Sequence, residues 1–226
     1  VEFQAPVQLP IPSGDFNADV IVNLLDPDGD APVDTAYALI SQSQADAWST
    51  CSGSSAATGL PDSGIIAATT IHPAFQFANY DGNNAIRVSG NDKFNFDITA
   101  DNYKTIHIFS LSASGDSTIF LNLTYSDAPG TPITTPTRTV PDWYIPGAPP
   151  ETSTAYRLIT GLDRTNNTMG DCEAGNANRF GVYGTSFTVD SSRTLENIEI
   201  NYSTPGYYVF FGAVGEPATL DTTAPN

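Results

Sequence analysis

A chain of 226 residues with 40% hydrophobic and 11% aromatic side chains has ample material for a core, and its composition is not that of a disordered segment. Its 25 acidic and 8 basic residues give a formal net charge of −17, without the Lys/Arg footprint that nucleic acid or anionic membrane demands; cations and neutral ligands remain as partners. No apolar run is long enough to cross a membrane as a helix, so no membrane insertion is expected.

The chain opens with VEFQAPVQLP, which reads as a processed or excised start. ADVIVNL, at 18–24, reads as the first strand, and it runs directly into NLLDPDGDAPVD. There Asp26, Asp28, Asp30 and Asp34 crowd around one glycine and two prolines. Carboxylates this close repel one another unless a cation, hydrogen bonds or solvent compensates. The D-x-D-G-D spacing suits a calcium ion, which takes several carboxylate and carbonyl oxygens on a tight glycine-containing turn. It departs from an EF-hand loop, because the glycine comes early and no glutamate closes the turn. Structural Ca2+ on these four aspartates is therefore the expectation, with a solvated acidic turn as the alternative.

Residues 34–48, DTAYALISQSQADAW, read as the one helix, with Asp34 as N-cap and Tyr37, Ile40, Gln44 and Trp48 on one face. The stretch that follows, rich in Ser, Gly and Ala up to Asn84, is long for a connection inside a domain. Such segments are usually functional or partly structured, so it is the first place to expect a ligand-facing loop. Near its end Tyr80, Asp81, Asn83 and Asn84 form a turn of ordinary turn formers, with ligand binding as the sharper reading.

From Asn84 onward short alternating runs dominate: NAIRVSG, KFNFDIT, KTIHIFSLSA and STIFLNLTYSD. The joints SGND and ASGDS carry the residues of tight hairpins. After a Pro/Thr-rich crossing come AYRLITGL, RFGVYGTSFTVD, NIEINYS and GYYVFFGAV. The total of about nine or ten strands predicts an all-β, antiparallel β-sandwich of jelly-roll type. No internal repeat is apparent. Residues 1–216 read as a single module and 217–226 as a linker toward a following domain.

Cys51 and Cys172 lack CxxC spacing and cannot make a zinc site alone. Both lie in Gly-rich, loop-like contexts, so a disulfide in an oxidising compartment is expected, with two free thiols as the alternative. Sugar sites place aromatic faces beside planar hydrogen-bonding groups. VPDWYIPG and GLDRTNN carry that vocabulary, and Trp143, Tyr144, Asp163, Arg164 and Asn166 form the candidate ligand set. Two structural readings compete with it: Trp143 as core, and Arg164 in an ion pair with Asp142 or Asp163. His72 and His107 stand apart from any nucleophile motif, and neither GxSxG nor HExxH occurs. Catalysis is not expected.

In order, FNADVIVN, FANYDGNNAIRVSG, FSLSASGDSTIFLNLTYSD, VPDWY, GLDRTN and YYVFFGAVGE resemble secreted bacterial β-sandwich modules, similar to galactose-binding-like and carbohydrate-binding domains of large surface proteins. The tail motif DTTAP resembles the junctions before Ig-like repeats in such proteins. The resemblance implies a jelly-roll, structural calcium in many members, no catalysis and carbohydrate binding by loops or a concave face. It therefore implies a secreted or cell-surface, monomeric module within a larger chain, with a polysaccharide or glycan as partner. A structural or adhesive spacer without saccharide affinity is the second expectation, and a small sandwich hydrolase or lyase, which needs convergent carboxylates or a His/Tyr pair, the third.

Overall fold

Alternating apolar and polar residues become strand along most of the chain. A computed structural model describes residues 5–24, 32–48, 57–144, 154–166, 172–173 and 180–218. The elements in chain order are β1 (Val7–Leu9), β2 (Ile21–Val22), β3 (Tyr37–Ile40), α1 (Gln42–Trp48), β4 (Ile65–Ile66), β5 (Phe75–Gln76), β6 (Ile86–Asp101), β7 (Tyr103–Ala113) and β8 (Ser117–Tyr125). They continue with β9 (Ile133–Thr134), β10 (Arg138–Val140), β11 (Ala155–Leu162), β12 (Arg164–Asn166), β13 (Cys172–Glu173), β14 (Phe180–Thr188) and β15 (Leu195–Pro217).

Nine strands form one antiparallel sheet whose main path is β10-β8-β15-β7-β14-β11, with β1 and β6 on β15 and β9 on β8. A four-stranded sheet, β13-β12-β3-β2, and the pair β4-β5 complete the strands. The fold is all-β, with the large sheet curled as a half-barrel into a sandwich.

The curl has a local cause that differs from the predicted hairpins. SGND and ASGDS do not reverse the chain. NAIRVSG and KFNFDIT are one strand, β6, which pairs β15 across both parts. β7 and β8 likewise run in the same sense, one beside each half of β15. The three joints line up: Gly90 pairs Thr204, β15 shifts register between Thr204 and Tyr207, and the Ser114–Gly115 joint lies opposite that shift. Gly90 has φ 73°, Ser114 φ 68° and Gly115 φ 115°, values that favour glycine or a short polar residue. A Cβ on Gly206 would sit 2.3 Å from the Ala113 carbonyl oxygen, so glycine is required for the close approach. Pro205 offers no N–H to the ladder and is tolerated at such a bulge. The result is a crease across three strands.

Asp142 fastens the crease to the VPDWY segment. Its carboxylate accepts the Gly115 N–H through Oδ2 and the Tyr144 N–H through Oδ1, the latter at 2.7 Å, while Trp143 N–H donates to the Ser112 carbonyl at 2.7 Å. Beyond the crease the sheet folds back, so β7 is buried on both faces. Ile106 and Ile108 join one cluster with Leu121, Ile198, Ile200 and Phe210. Phe109, Leu111 and Ala113 join the other, with Phe75, Phe77, Trp143 and Phe180.

The predicted helix is shorter than its pattern. Tyr37–Ile40 is strand β3, which pairs with β2 and β12, and the helix begins after Ser41. Ser41 Oγ accepts the Gln44 N–H at 3.2 Å and so takes the capping role assigned to Asp34. Asp34 instead accepts the Ala36 and Tyr37 N–H groups at 2.7 and 2.8 Å in a turn ahead of β3. At the other end β15 runs through Pro217, and Ala218 N–H donates to the Asn102 carbonyl at 2.6 Å. Residues 219–226 lie outside the described residues.

Candidate functional site

A cleft of about 560 Å³ opens between the end of β2, the start of α1, the turn 62–64 and the segment 76–81. Its walls carry Asn23, Leu24, Ser41, Ser43, Asp62, Ser63, Gly64, Gln76, Phe77, Ala78, Asn79, Tyr80 and Asp81. Its volume falls in the range of small-molecule sites, roughly 300–1,000 Å³.

Local chemistry builds each wall. Gly64, at φ 67°, donates to the Pro61 carbonyl at 2.8 Å and closes a tight turn. Its own carbonyl then accepts the Phe77 N–H at 2.8 Å, which docks that turn against the floor. Asp62 accepts the Ser43 N–H at 2.9 Å, tying the turn to the helix start. Asn23 donates to the Tyr80 carbonyl at 2.6 Å and to Asp81 Oδ1 at 3.3 Å, joining β2 to the opposite wall. The Tyr80 hydroxyl donates to the Pro61 carbonyl at 3.0 Å. Burial, with the Asp62 charge adding, pushes its phenol well above the ordinary range, so Tyr80 stays a neutral donor.

Asn84 holds the turn beneath. Fully buried, it accepts the Val20 N–H at 3.1 Å and donates to Asp19 and to the Gly82 carbonyl at 3.1 Å. The cleft is therefore a pre-formed hollow, lined by amides, hydroxyls and the carboxylates of Asp62 and Asp81. None of its described lining residues is Lys, Arg or His.

The sequence-derived ligand set sits elsewhere and is only partly brought together. Trp143 is 1% exposed and packs on Phe180 with ring centroids 5.1 Å apart, so its faces are used inside the core. Tyr144, 40% exposed, is the member at the surface. The Arg164 guanidinium lies 3.6 Å from the Tyr37 ring centroid, 4.5 Å from Phe180, 5.5 Å from Tyr144 and 5.8 Å from Trp143. Its Nε and Nη2 both donate to Glu173 Oε2, at 3.1 and 2.9 Å. The ion-pair partner is Glu173, set opposite Arg164 by β12-β13 register, and not Asp142 or Asp163. Asp163 turns away, accepting the Thr58 N–H at 2.6 Å. Asn166 pairs with Tyr37 in the β12-β3 ladder.

Of the expected calcium ligands Asp26, Asp28 and Asp30 lie outside the described residues, and Asp34 serves its turn. No group of three metal-ligating side chains occurs among the described residues. Cys172 is fully buried on β13 and no described cysteine is a free thiol. Cys51 lies outside the described residues.

Both histidines meet at one place that sequence reasoning left separate. His107 Nδ1 lies 2.7 Å from the Tyr156 hydroxyl, and His72 stacks on Tyr156 at 5.8 Å. Glu216, which also pairs with Lys104, lies 3.4 Å from His107 Nε2. His107, Tyr156 and His72 are all buried. Burial holds the imidazole of His107 below its ordinary value, against the opposing pull of Glu216, and burial pushes the Tyr156 phenol far up. A neutral imidazole and a neutral phenol joined by one hydrogen bond brace β7 to β11.

The cleft residues were largely hidden among turn formers. Asp62, Ser63, Gly64 and Gln76 belong to the long connection after the helix, and Tyr80 and Asp81 to the turn beside it. Their signals were a connection too long for its content and the Tyr80–Asp81 turn, read with ligand binding as its sharper alternative. No protein-family model matches the chain, and no curated protein matches it either.

Proposed function

We propose that the protein is a non-catalytic binding module of a secreted or cell-surface protein, and that a neutral, hydroxyl-rich saccharide occupies the cleft formed by residues 23–24, 41–43, 62–64 and 76–81. The observation that carries this reading is the lining: a pre-formed hollow of about 560 Å³ with amide, hydroxyl and carboxylate groups beside Phe77 and Leu24, and no cationic side chain among the described residues that line it. Carboxylates and amides accept and donate to sugar hydroxyls, whereas an anionic ligand would meet Asp62 and Asp81 without compensation. The exposed Leu24 supplies the apolar contact a sugar's C–H face needs, and the buried Phe77 backs the hollow beneath it.

The burial of the His107–Tyr156 pair supports binding over catalysis, because a lyase or hydrolase base must reach its substrate's proton. The proposal includes calcium on Asp26, Asp28, Asp30 and Asp34, which rests on their spacing in the sequence. Asp34 Oδ1 already takes two N–H groups, so Oδ2 would be the oxygen left for an ion. It also pairs Cys51 with Cys172, to be read as a mass two hydrogens lighter before reduction.

Retention on a broad polysaccharide panel, with calcium and with a chelator, tests the reading. Gln76→Ala combined with Asp81→Asn, both at exposed positions and the second keeping an acceptor oxygen for Asn23, should weaken the retained saccharide at least tenfold while leaving the melting temperature nearly unchanged. Retention on no polysaccharide leaves the spacer reading in front. Undiminished affinity of the double variant moves the site out of the cleft.

A further inference from the structure

A second hollow, of about 220 Å³, shares Ala78 with the cleft as a lining residue. Its remaining walls are mainly apolar: Leu9, Pro10, Ile11, Phe16 and Phe211. Leu9, Phe16 and Phe211 are buried, so they fix its shape. The two hollows are joined at a further point. Gln8, on the wall of the apolar one, donates through Nε2 to the Gln76 carbonyl at 2.6 Å and accepts the Gln76 N–H at 2.9 Å, and Gln76 lines the polar cleft. This reciprocal pair staples β1 to β5, so the two hollows keep one spacing.

A polar cleft and an apolar pocket that share a wall accept different halves of one molecule. We propose that they form a single bipartite site for a glycoside with an apolar aglycone: the sugar in the cleft, and an aryl or short alkyl group across Ala78 in the apolar pocket. This rests on the saccharide reading of the cleft. The volume fits the occupant, since a dry apolar cavity of roughly 150 Å³ already takes benzene. The gain comes from removing the aglycone's apolar surface from water without a polar group being stranded.

The experiment titrates the protein with matched methyl and phenyl glycosides of glucose, galactose, mannose and xylose, followed by calorimetry. For the sugar that binds, the phenyl glycoside should bind at least tenfold tighter than the methyl one. Ile11→Trp, at a half-buried position on the pocket wall, should erase that advantage and leave the methyl glycoside's affinity unchanged. Equal affinity of the two glycosides overturns the bipartite site alone. A phenyl advantage that survives Ile11→Trp overturns it as well, placing the aglycone elsewhere. Binding of neither glycoside overturns it together with the saccharide reading.

Discussion

Two regions of the molecule combine aromatic with polar side chains, and among the described residues it is the second that lines a ligand-sized hollow. Around Arg164 the rings of Tyr37, Phe180, Tyr144 and Trp143 close on the protein's own guanidinium, and Glu173 takes its charge. In the cleft, Phe77 and Tyr80 are buried in the floor while Asp62, Gln76, Asn79 and Asp81 stand at the surface around a hollow. Aromatic and cationic residues drawn from VPDWY, GLDRTN and β3 thus made a packed brace, whereas turn residues made the cavity. Chemical vocabulary alone does not separate a site from a strut; accessible volume does.

The largest expected effect lies in the brace. Arg164→Ala leaves Glu173 without its partner and four rings without their cation, and should cost about 2–3 kcal/mol in chemical denaturation, discounted because Glu173 is partly exposed. Saccharide affinity should not change. A loss of affinity in a variant that remains folded would return the ligand to the Arg164 cluster and break the comparison.

Asp142 comes next, because it belongs to neither region yet positions one of them. Asp142→Ala strands the Gly115 and Tyr144 N–H groups at the crease, at about 1–3 kcal/mol, measured by the same unfolding titration. Asp142→Asn keeps an acceptor oxygen and should recover part of it. An unchanged midpoint in both variants would mean that the crease holds without this tie.

The smallest effect is a pH dependence at the buried histidine. Burial holds His107 below its ordinary 6.5 in the folded chain, with Glu216 opposing and with His72 and Lys104 reinforcing. As pH falls through 6.5 the unfolded chain takes up the proton first, so this contribution is full above that pH and declines beneath it. His107→Gln should flatten the decline in urea midpoint between about pH 7 and about pH 5.5 relative to the parent protein. Parallel slopes for the two proteins would show that other groups set the acid response.

The fold class was readable because strand alternation is a local signal, and runs such as STIFLNLTYSD keep it. The connection between runs was not. Gly90, Gly115 and Gly206 allow a hairpin and a bulge equally, and only their alignment across neighbouring strands distinguishes the two. Tyr37–Ile40 fits a helical face as well as a buried strand, and its pairing with β2 and β12 decides in favour of the strand. Glu173 could not be named as the partner of Arg164 without the β12-β13 register. The cleft was legible in part, as a connection out of proportion to its content and as the Tyr80–Asp81 turn, but not as one hollow, since its groups come from segments up to 58 residues apart, Asn23 meeting Asp81.

The most direct test is a backbone amide spectrum recorded as the retained saccharide is added. The account predicts shifts concentrated at Asn23, Ser43, Gly64, Gln76, Asn79 and Asp81, with Tyr144, Arg164 and Asn166 unmoved. Shifts concentrated at Tyr144, Arg164 and Asn166, with the cleft silent, would contradict it.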